Sequence, residues 1–140
     1  MTAGETGGVR IVRASPALAR GARARGVWVL GARAGAVQGI IVVEMPFLLG
    51  GFIALLAVRP EAAGRGIGRA LVTEARQQVF TVANKRWLYV SADSGNRGAL
   101  AFYRKLGFSR VGRLPDLIRA GNTEVLLRQG RGSTRSSTRE

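Results

Sequence analysis

The sequence predicts a mixed α/β fold: a mostly antiparallel central sheet that contains one parallel strand pair, with flanking helices. Three observations carry that expectation. Residues 55–71, LLAVRPEAAGRGIGRAL, pass from an apolar strand through Pro60, Gly64, Gly66 and Gly68 into a helix whose apolar residues fall at Ile67, Leu71, Ala75 and Val79. Upstream, β-rich runs of strand length alternate with turn residues between Val27 and Val58. Downstream, Trp87–Ala92 is a second apolar run, and a strand–helix–strand crossover of this kind is right-handed and leaves its two strands parallel.

Taken in order, Met1–Gly8 reads as a flexible start and Val9–Val12 as a short strand. Ser15 and Pro16 are placed to cap and open a short helix over ALARGARAR. Val27–Leu30 and Ala36–Glu44 read as a hairpin turning around Ala34-Gly35, and Phe52–Val58 as the central strand. Arg69–Ala83 continues the helix after the glycines, with Arg69, Thr73, Arg76 and Gln77 toward water. Asp93-Ser94-Gly95-Asn96 turns into a helix over Arg97–Leu106, ended by Gly107. Phe108–Gly112 and Thr123–Arg128 are the final strands, and RQGRGSTRSSTRE has no apolar pattern and reads as a disordered basic tail.

The run Ile40–Val58 carries a single charge over a length close to a membrane span. Glu44, Pro46 and the Gly50-Gly51 pair interrupt it, so two buried strands joined by a turn are expected, with no membrane partner. No signal-peptide pattern opens the chain, and a cytoplasmic setting is expected.

At 140 residues the chain is one domain, as a monomer or homodimer. It holds neither Cys nor His, which removes disulfides, Cys/His metal sites, a thiol nucleophile and a histidine base; no metal is expected. Acid–base work must fall to carboxylates, Tyr, backbone or water. The net charge of +14 favours anionic partners, nucleic acid among them.

A glycine turn that leads into a helix is suited to a phosphate, because the first helical N–H groups lack intrahelical partners and the peptide dipoles favour negative charge there. A P-loop is excluded, since no Lys followed by Ser or Thr stands at the required offset. The dinucleotide fingerprint fails too, because it would need glycine at Arg69 or at Leu71.

VRPEAAGRGIGRALV resembles the coenzyme A pyrophosphate loop of the GNAT superfamily of acyl-CoA-dependent N-acetyltransferases, whose pattern is [RQ]-x-x-G-x-[GA] after a V-x-P strand end. Gly66 and Gly68 are its glycines, while Ala63 replaces its Arg/Gln and leaves the charge to Arg65 or Arg69. NRGALAFYRKLGF, Asn96–Phe108, is similar to the superfamily's N-x-x-A-x-x-F-Y-x-x-x-G-F segment at every specified position. The resemblance covers roughly Val27–Leu127. It divides the chain into a short N-terminal segment, 1–26, a GNAT-like domain, 27–128, and the tail, 129–140. The N-terminal segment is shorter than the two helices the superfamily usually places there.

The resemblance implies an enzyme that moves an acetyl group from acetyl-CoA to a primary amine by direct transfer, on a sheet whose parallel central pair is splayed. It also leaves room for a catalytically weak acyl-CoA-binding module. Leu56, Ala57 and Val58 would meet the pantetheine arm through their backbone. Ala63, Gly64, Arg65, Gly66, Ile67, Gly68, Arg69 and Ala70 would surround the pyrophosphate, with Asn96, Ala99, Phe102 and Tyr103 completing the cofactor site. Tyr103 would protonate the departing thiolate. From the residues themselves, Glu44 is a candidate base, since burial inside its apolar run would raise its pKa, and Asp93, Asp116 and Glu124 are further carboxylates near the sheet end.

Overall fold

Among the described residues, eight strands form one sheet in the order β1-β2-β3-β4-β5-β6-β8-β7. In this computed structural model the described residues are 2–6, 9–13, 27–34 and 36–132. The strands are β1 (Thr2–Thr6), β2 (Val9–Arg13), β3 (Val27–Ala34), β4 (Ala36–Phe47), β5 (Gly50–Val58), β6 (Trp87–Asp93), β7 (Ser109–Pro115) and β8 (Thr123–Gly130). Helices α1 (Ile67–Arg76) and α2 (Arg97–Lys105) complete it, and α1 runs on through a π-helical stretch, Gln77–Val82. All neighbouring strands are antiparallel except β5 and β6, which are parallel.

The mixed α/β architecture and its parallel pair are as the sequence predicts. Three local expectations are corrected. Thr2–Thr6, expected to be a flexible start, pairs with β2 as an edge strand. The turn after β4 is Leu48-Leu49, with Leu48 at φ 57°, whereas Gly50-Gly51, expected to interrupt the apolar run ahead of a strand from Phe52, lie within the next strand. Those glycines begin β5 and are buried, because a β-carbon on Gly51 would stand 3.0–3.3 Å from Val79, Met45 and Val43. Arg76, expected in water, is half-buried and its Nη1 donates to the Leu106 carbonyl at 3.4 Å. Burial and the neighbouring Arg69 charge lower its pKa. The helix expected from Ser15 lies outside the described residues.

The core lies between one sheet face and both helices. Ile41, Val43 and Met45 of β4, Ile53 of β5, Leu88, Val90 and Ala92 of β6 and Val125 and Leu127 of β8 meet Ile67, Leu71, Ala75 and Val79 from α1 and its extension, and Leu100 and Tyr103 from α2. Burying each large aliphatic side chain is worth about 1.5–3 kcal/mol. Among the described residues Gln129 is the buried polar residue of this core, and its Nε2 donates to the Leu106 carbonyl just past α2 at 3.0 Å. The opposite face presents Val42, Glu44, Phe52, Tyr89 and Ser91, with the Phe47 ring centroid 5.1 Å from Phe52 and 5.2 Å from Tyr89.

Candidate active site

Leaving β5, the chain is tied back to β4 by Arg59, whose N–H donates to Gln38 O at 2.7 Å and whose Nε donates to Val37 O at 2.6 Å. Pro60–Ala62 then makes one 3₁₀ turn anchored by buried Ala62. Gly64 and Gly66 both have left-handed backbone, φ 80° and 82°, a region L side chains avoid. The first intrahelical bond of α1 runs from Ala70 N–H to Gly66 O at 3.0 Å, so the N–H groups of Ile67, Gly68 and Arg69 precede the ladder. A β-carbon on Gly64 or Gly66 would meet nothing within 4 Å, so the space above the loop is open. Arg65 and Arg69 are exposed around it, and Ala63 is exposed with no charge to offer. This is a cradle that fits a pyrophosphate on chemical grounds: unladdered donors, a helix N-terminus and two free-standing cations.

The parallel strands part just where the loop's strand would have to release main-chain groups. Pairing of β5 with β6 runs from Gly50–Trp87 to Ile53–Val90 and goes no further. Against β4 the register jumps from Val43–Ile53 to Val42–Leu55, so Ala54 is a β-bulge at the point of parting. Beyond it, Leu55–Val58 stay paired with β4 alone, and Ser91–Asp93 with β8 alone. Leu56, Ala57 and Val58 therefore lie on one arm of a V that opens toward the glycine loop, as the splayed pair requires.

The other arm leads into α2. Asn96 caps that helix, its Oδ1 accepting from the Ala99 N–H at 3.0 Å, which leaves its amide nitrogen for other use. The helix ends on Gly107 at φ 100°, with Gly107 N–H bonded to Arg104 O and Phe108 N–H to Tyr103 O, both at 3.0 Å. Phe102 reaches across to the loop: a β-carbon on Gly68 would stand 3.2 Å from its Cζ. Tyr103 packs edge-on between Phe102 and Phe108, at 5.1 and 5.6 Å between ring centroids. Burial pushes its pKa up to about 12, so the phenol is protonated at neutral pH and is a proton donor, not a base.

The carboxylates divide differently from the sequence reading. Glu44 is exposed, on the sheet face away from the helices and opposite Phe52, so the burial expected to raise its pKa is not found. Alternation places it there: Val43 and Met45 take the core face, and Glu44 between them must take the other. Asp93 is held below the usual carboxylate range, chiefly by the Asn122 amide at 3.0 Å and then by the Gly95 N–H, which makes it a weak base. Asp116 accepts from Gly121 N–H at 2.7 Å in the β7–β8 loop. Glu124 accepts from Ser91 Oγ at 2.9 Å, and Ser91 is the first β6 residue past the last β5 pair. Ser91 and the Ala54 bulge went unread in the sequence; an unbroken apolar strand gives no sign of an inserted residue.

A profile of the Acetyltransferase (GNAT) family matches residues 10–108, which includes the loop, both arms of the V and α2. The spermidine N(1)-acetyltransferase of Escherichia coli K12 is 39% identical over 59 residues, 42% of this chain and 32% of that protein. The N-alpha-acetyltransferase MAK3 of Arabidopsis thaliana is 41% identical over 64 residues, 46% of this chain and 33% of that protein. The matched stretch thus spans only about a third of these curated relatives. A GNAT family acetyltransferase from Elizabethkingia anophelis, solved with acetyl-CoA bound, superposes with a TM-score of 0.77 at 14% identity, over 89% of this chain and 99% of that one. An IAA acetyltransferase from Bacillus cereus gives 0.75 at 19% identity, over 87% and 99%. With the family profile spanning the loop, the parted strands and α2, the chain belongs to the acetyltransferase (GNAT) family.

Proposed function

We propose that this chain is an acetyl-CoA-dependent N-acetyltransferase that acts by direct transfer to a primary amine. The observation that carries the reading is the parting of β5 from β6 at Ala54, with the glycine loop at the end of one arm and α2, bearing Tyr103, at the end of the other. Acetyl-CoA supplies the activated acyl group. Ile67, Gly68 and Arg69 N–H would hold its pyrophosphate, with Arg65 and Arg69 in place of the charge missing at Ala63. Main chain of Leu56–Val58, with Asn96, Ala99 and Phe102, would align the pantetheine arm. The amine nitrogen forms a bond to the thioester carbonyl carbon, the carbon–sulfur bond breaks, the Tyr103 hydroxyl protonates the thiolate, and the amine's proton leaves through Glu124 by way of Ser91. Glu44 stands apart from this path. A cytoplasmic setting suits the cosubstrate.

The acceptor lies among the amine classes the relatives' names supply, polyamines and protein N-termini. Incubation of the protein with acetyl-CoA and spermidine, or with peptides bearing free N-termini, should give acetylated amine and free CoA in equal amounts. A second reading, a domain that binds acetyl-CoA without turnover, is favoured by Ala63. Calorimetric binding of acetyl-CoA with no product from any amine would establish it, and no binding at all would overturn both readings.

A further inference from the structure

At the end of the sheet opposite the glycine loop, a cavity of about 470 Å³ is lined by Leu49, Asn84, Lys85, Arg86, Trp87, Gly130 and Arg131. Nine residues of β5 separate it from the loop, roughly 30 Å of extended chain. Three of the seven lining residues are cations and none is acidic. Among the described residues the ion pair is Arg59–Glu61, far from this cavity, so no described carboxylate neutralises Lys85, Arg86 or Arg131.

One of the charges, that of Arg131, is held in place by a neutral group. Arg131 Nη1 donates to Asn84 Oδ1 at 2.5 Å, and Arg131 N–H donates to Arg86 O at 3.0 Å, which ties the end of β8 to the start of β6. Asn84 itself sits at φ 56°, in the left-handed region that Asn tolerates better than most side-chain-bearing residues. Behind them the Arg128 guanidinium lies 3.6 Å over the Trp87 ring and fixes the indole. A second basic depression, around Arg97, Arg104, Lys105 and Arg110 on the solvent side of α2, shows no such anchoring of its cations among the described residues. Positive charge unpaired among the described residues, with Arg131 fixed beside an indole in a cavity of ligand size, is complementary to a phosphoryl group.

We infer that this cavity is a second, phosphate-binding site, separate from the glycine loop and independent of acetyl transfer, that takes a phosphate ester against Lys85, Arg86 and Arg131 with Trp87 as its wall. The phosphate could be free or carried by a lipid headgroup, since Leu48 and Leu49 beside it are 77% and 68% exposed.

Trp87 reports on its own site. The chain has two tryptophans, so Trp28→Phe leaves it as the single indole. Titration of that variant with inorganic pyrophosphate should change its emission saturably. Adding Lys85→Gln with Arg86→Gln should raise the apparent Kd at least tenfold, and adding Gly66→Val should leave it unchanged. Arg86 is exposed and Lys85 only half-buried, so the fold should survive their neutralisation; Arg131→Gln gives an independent check. Sedimentation with phosphatidic acid vesicles, abolished by the same double substitution while pyrophosphate has no effect, would retain the site and assign the phosphate to a lipid. An equal response in the double variant, one lost with Gly66→Val, or none to either probe would overturn the inference.

Discussion

Gly68 and Phe102 meet at the seam between the two segments that define this site: a β-carbon at 68 would stand 3.2 Å from Phe102 Cζ and 3.9 Å from Val58 Cγ2. The glycine of the loop is thus shaped by the aromatic of α2. Its role is close approach, whereas Gly64 and Gly66, with nothing within 4 Å, are glycines for their positive φ.

Substitutions at the two kinds of glycine should therefore behave differently. Gly68→Val should lower both thermal stability and acetyl-CoA affinity, and Phe102→Leu, by making room, should restore part of each. The double-mutant cycle should show a coupling of at least about 0.5 kcal/mol, as for residues in contact. Strict additivity in calorimetry and thermal melts would separate Gly68 from Phe102.

At Gly66 the order of side chains should follow backbone preference and not size. With φ at 82° a β-carbon costs roughly 1–2 kcal/mol even in open space. Gly66→Ala and Gly66→Val should weaken acetyl-CoA binding about tenfold or more, while Gly66→Asn, which tolerates this region, should lose less. A larger loss for Asn than for Ala would mean that crowding of the ligand, not backbone strain, governs the position.

Tyr103 gives a pH signature. Its folded pKa, pushed up to about 12 by burial, stands above the ordinary value of 10.0. The unfolded chain then gives up this proton first as pH rises, so the contribution to stability is complete below about pH 10 and is lost between 10 and 12. Two units correspond to at most roughly 3 kcal/mol. Denaturant melts of wild type should weaken across that window more than those of Tyr103→Phe. The same variant should reduce kcat with little change in acetyl-CoA affinity, because the ring packing against Phe102 and Phe108 remains. Identical alkaline melts would mean that the phenol is solvated, and an unchanged kcat with chemistry limiting would leave Tyr103 a packing residue.

Much of this was legible before the structure, for reasons that differ by element. The glycines at 64, 66 and 68 and the Asn96–Phe108 spacing mark a strand–turn–helix and a capped helix because backbone conformation selects those residue types. Gly107 and Asn96 occupy the cap positions their chemistry predicts. Glu44 was misjudged because an apolar run does not say which face each residue takes; alternation against Val43 and Met45 sends it outward. Gly50-Gly51, read as an interruption of the apolar run, belong to β5, since a glycine needed for close packing looks like one that breaks a strand. The Ala54 bulge depends on the register of β5 against β4, and the Ser91–Glu124 bond on strands 33 residues apart, neither of which a local pattern encodes.

Glu124 and Glu44 provide the sharpest contrast, because both are carboxylates on the outer sheet face and only one neighbours the parting of β5 and β6. Glu124 is linked through Ser91, at 2.9 Å, to the first unpaired turn of the β6 arm, whereas Glu44 pairs across to Phe52, before the bulge. If Glu124 takes the acceptor's proton, Glu124→Gln should lower kcat/KM by about 10²–10⁴-fold at neutral pH, the usual worth of a general base. Acetyl-CoA affinity should be unchanged. The deficit should shrink as pH rises toward the acceptor's own pKa, because an amine that arrives uncharged has no proton to give up before attack. Ser91→Ala should show the same trend with a smaller loss, since a water can replace the hydroxyl. Glu44→Gln should stay within about twofold of wild type at every pH, as expected for an exposed surface carboxylate. A large, pH-sensitive loss at Glu44 with little at Glu124 would move the proton's exit to the β4 side of the opening.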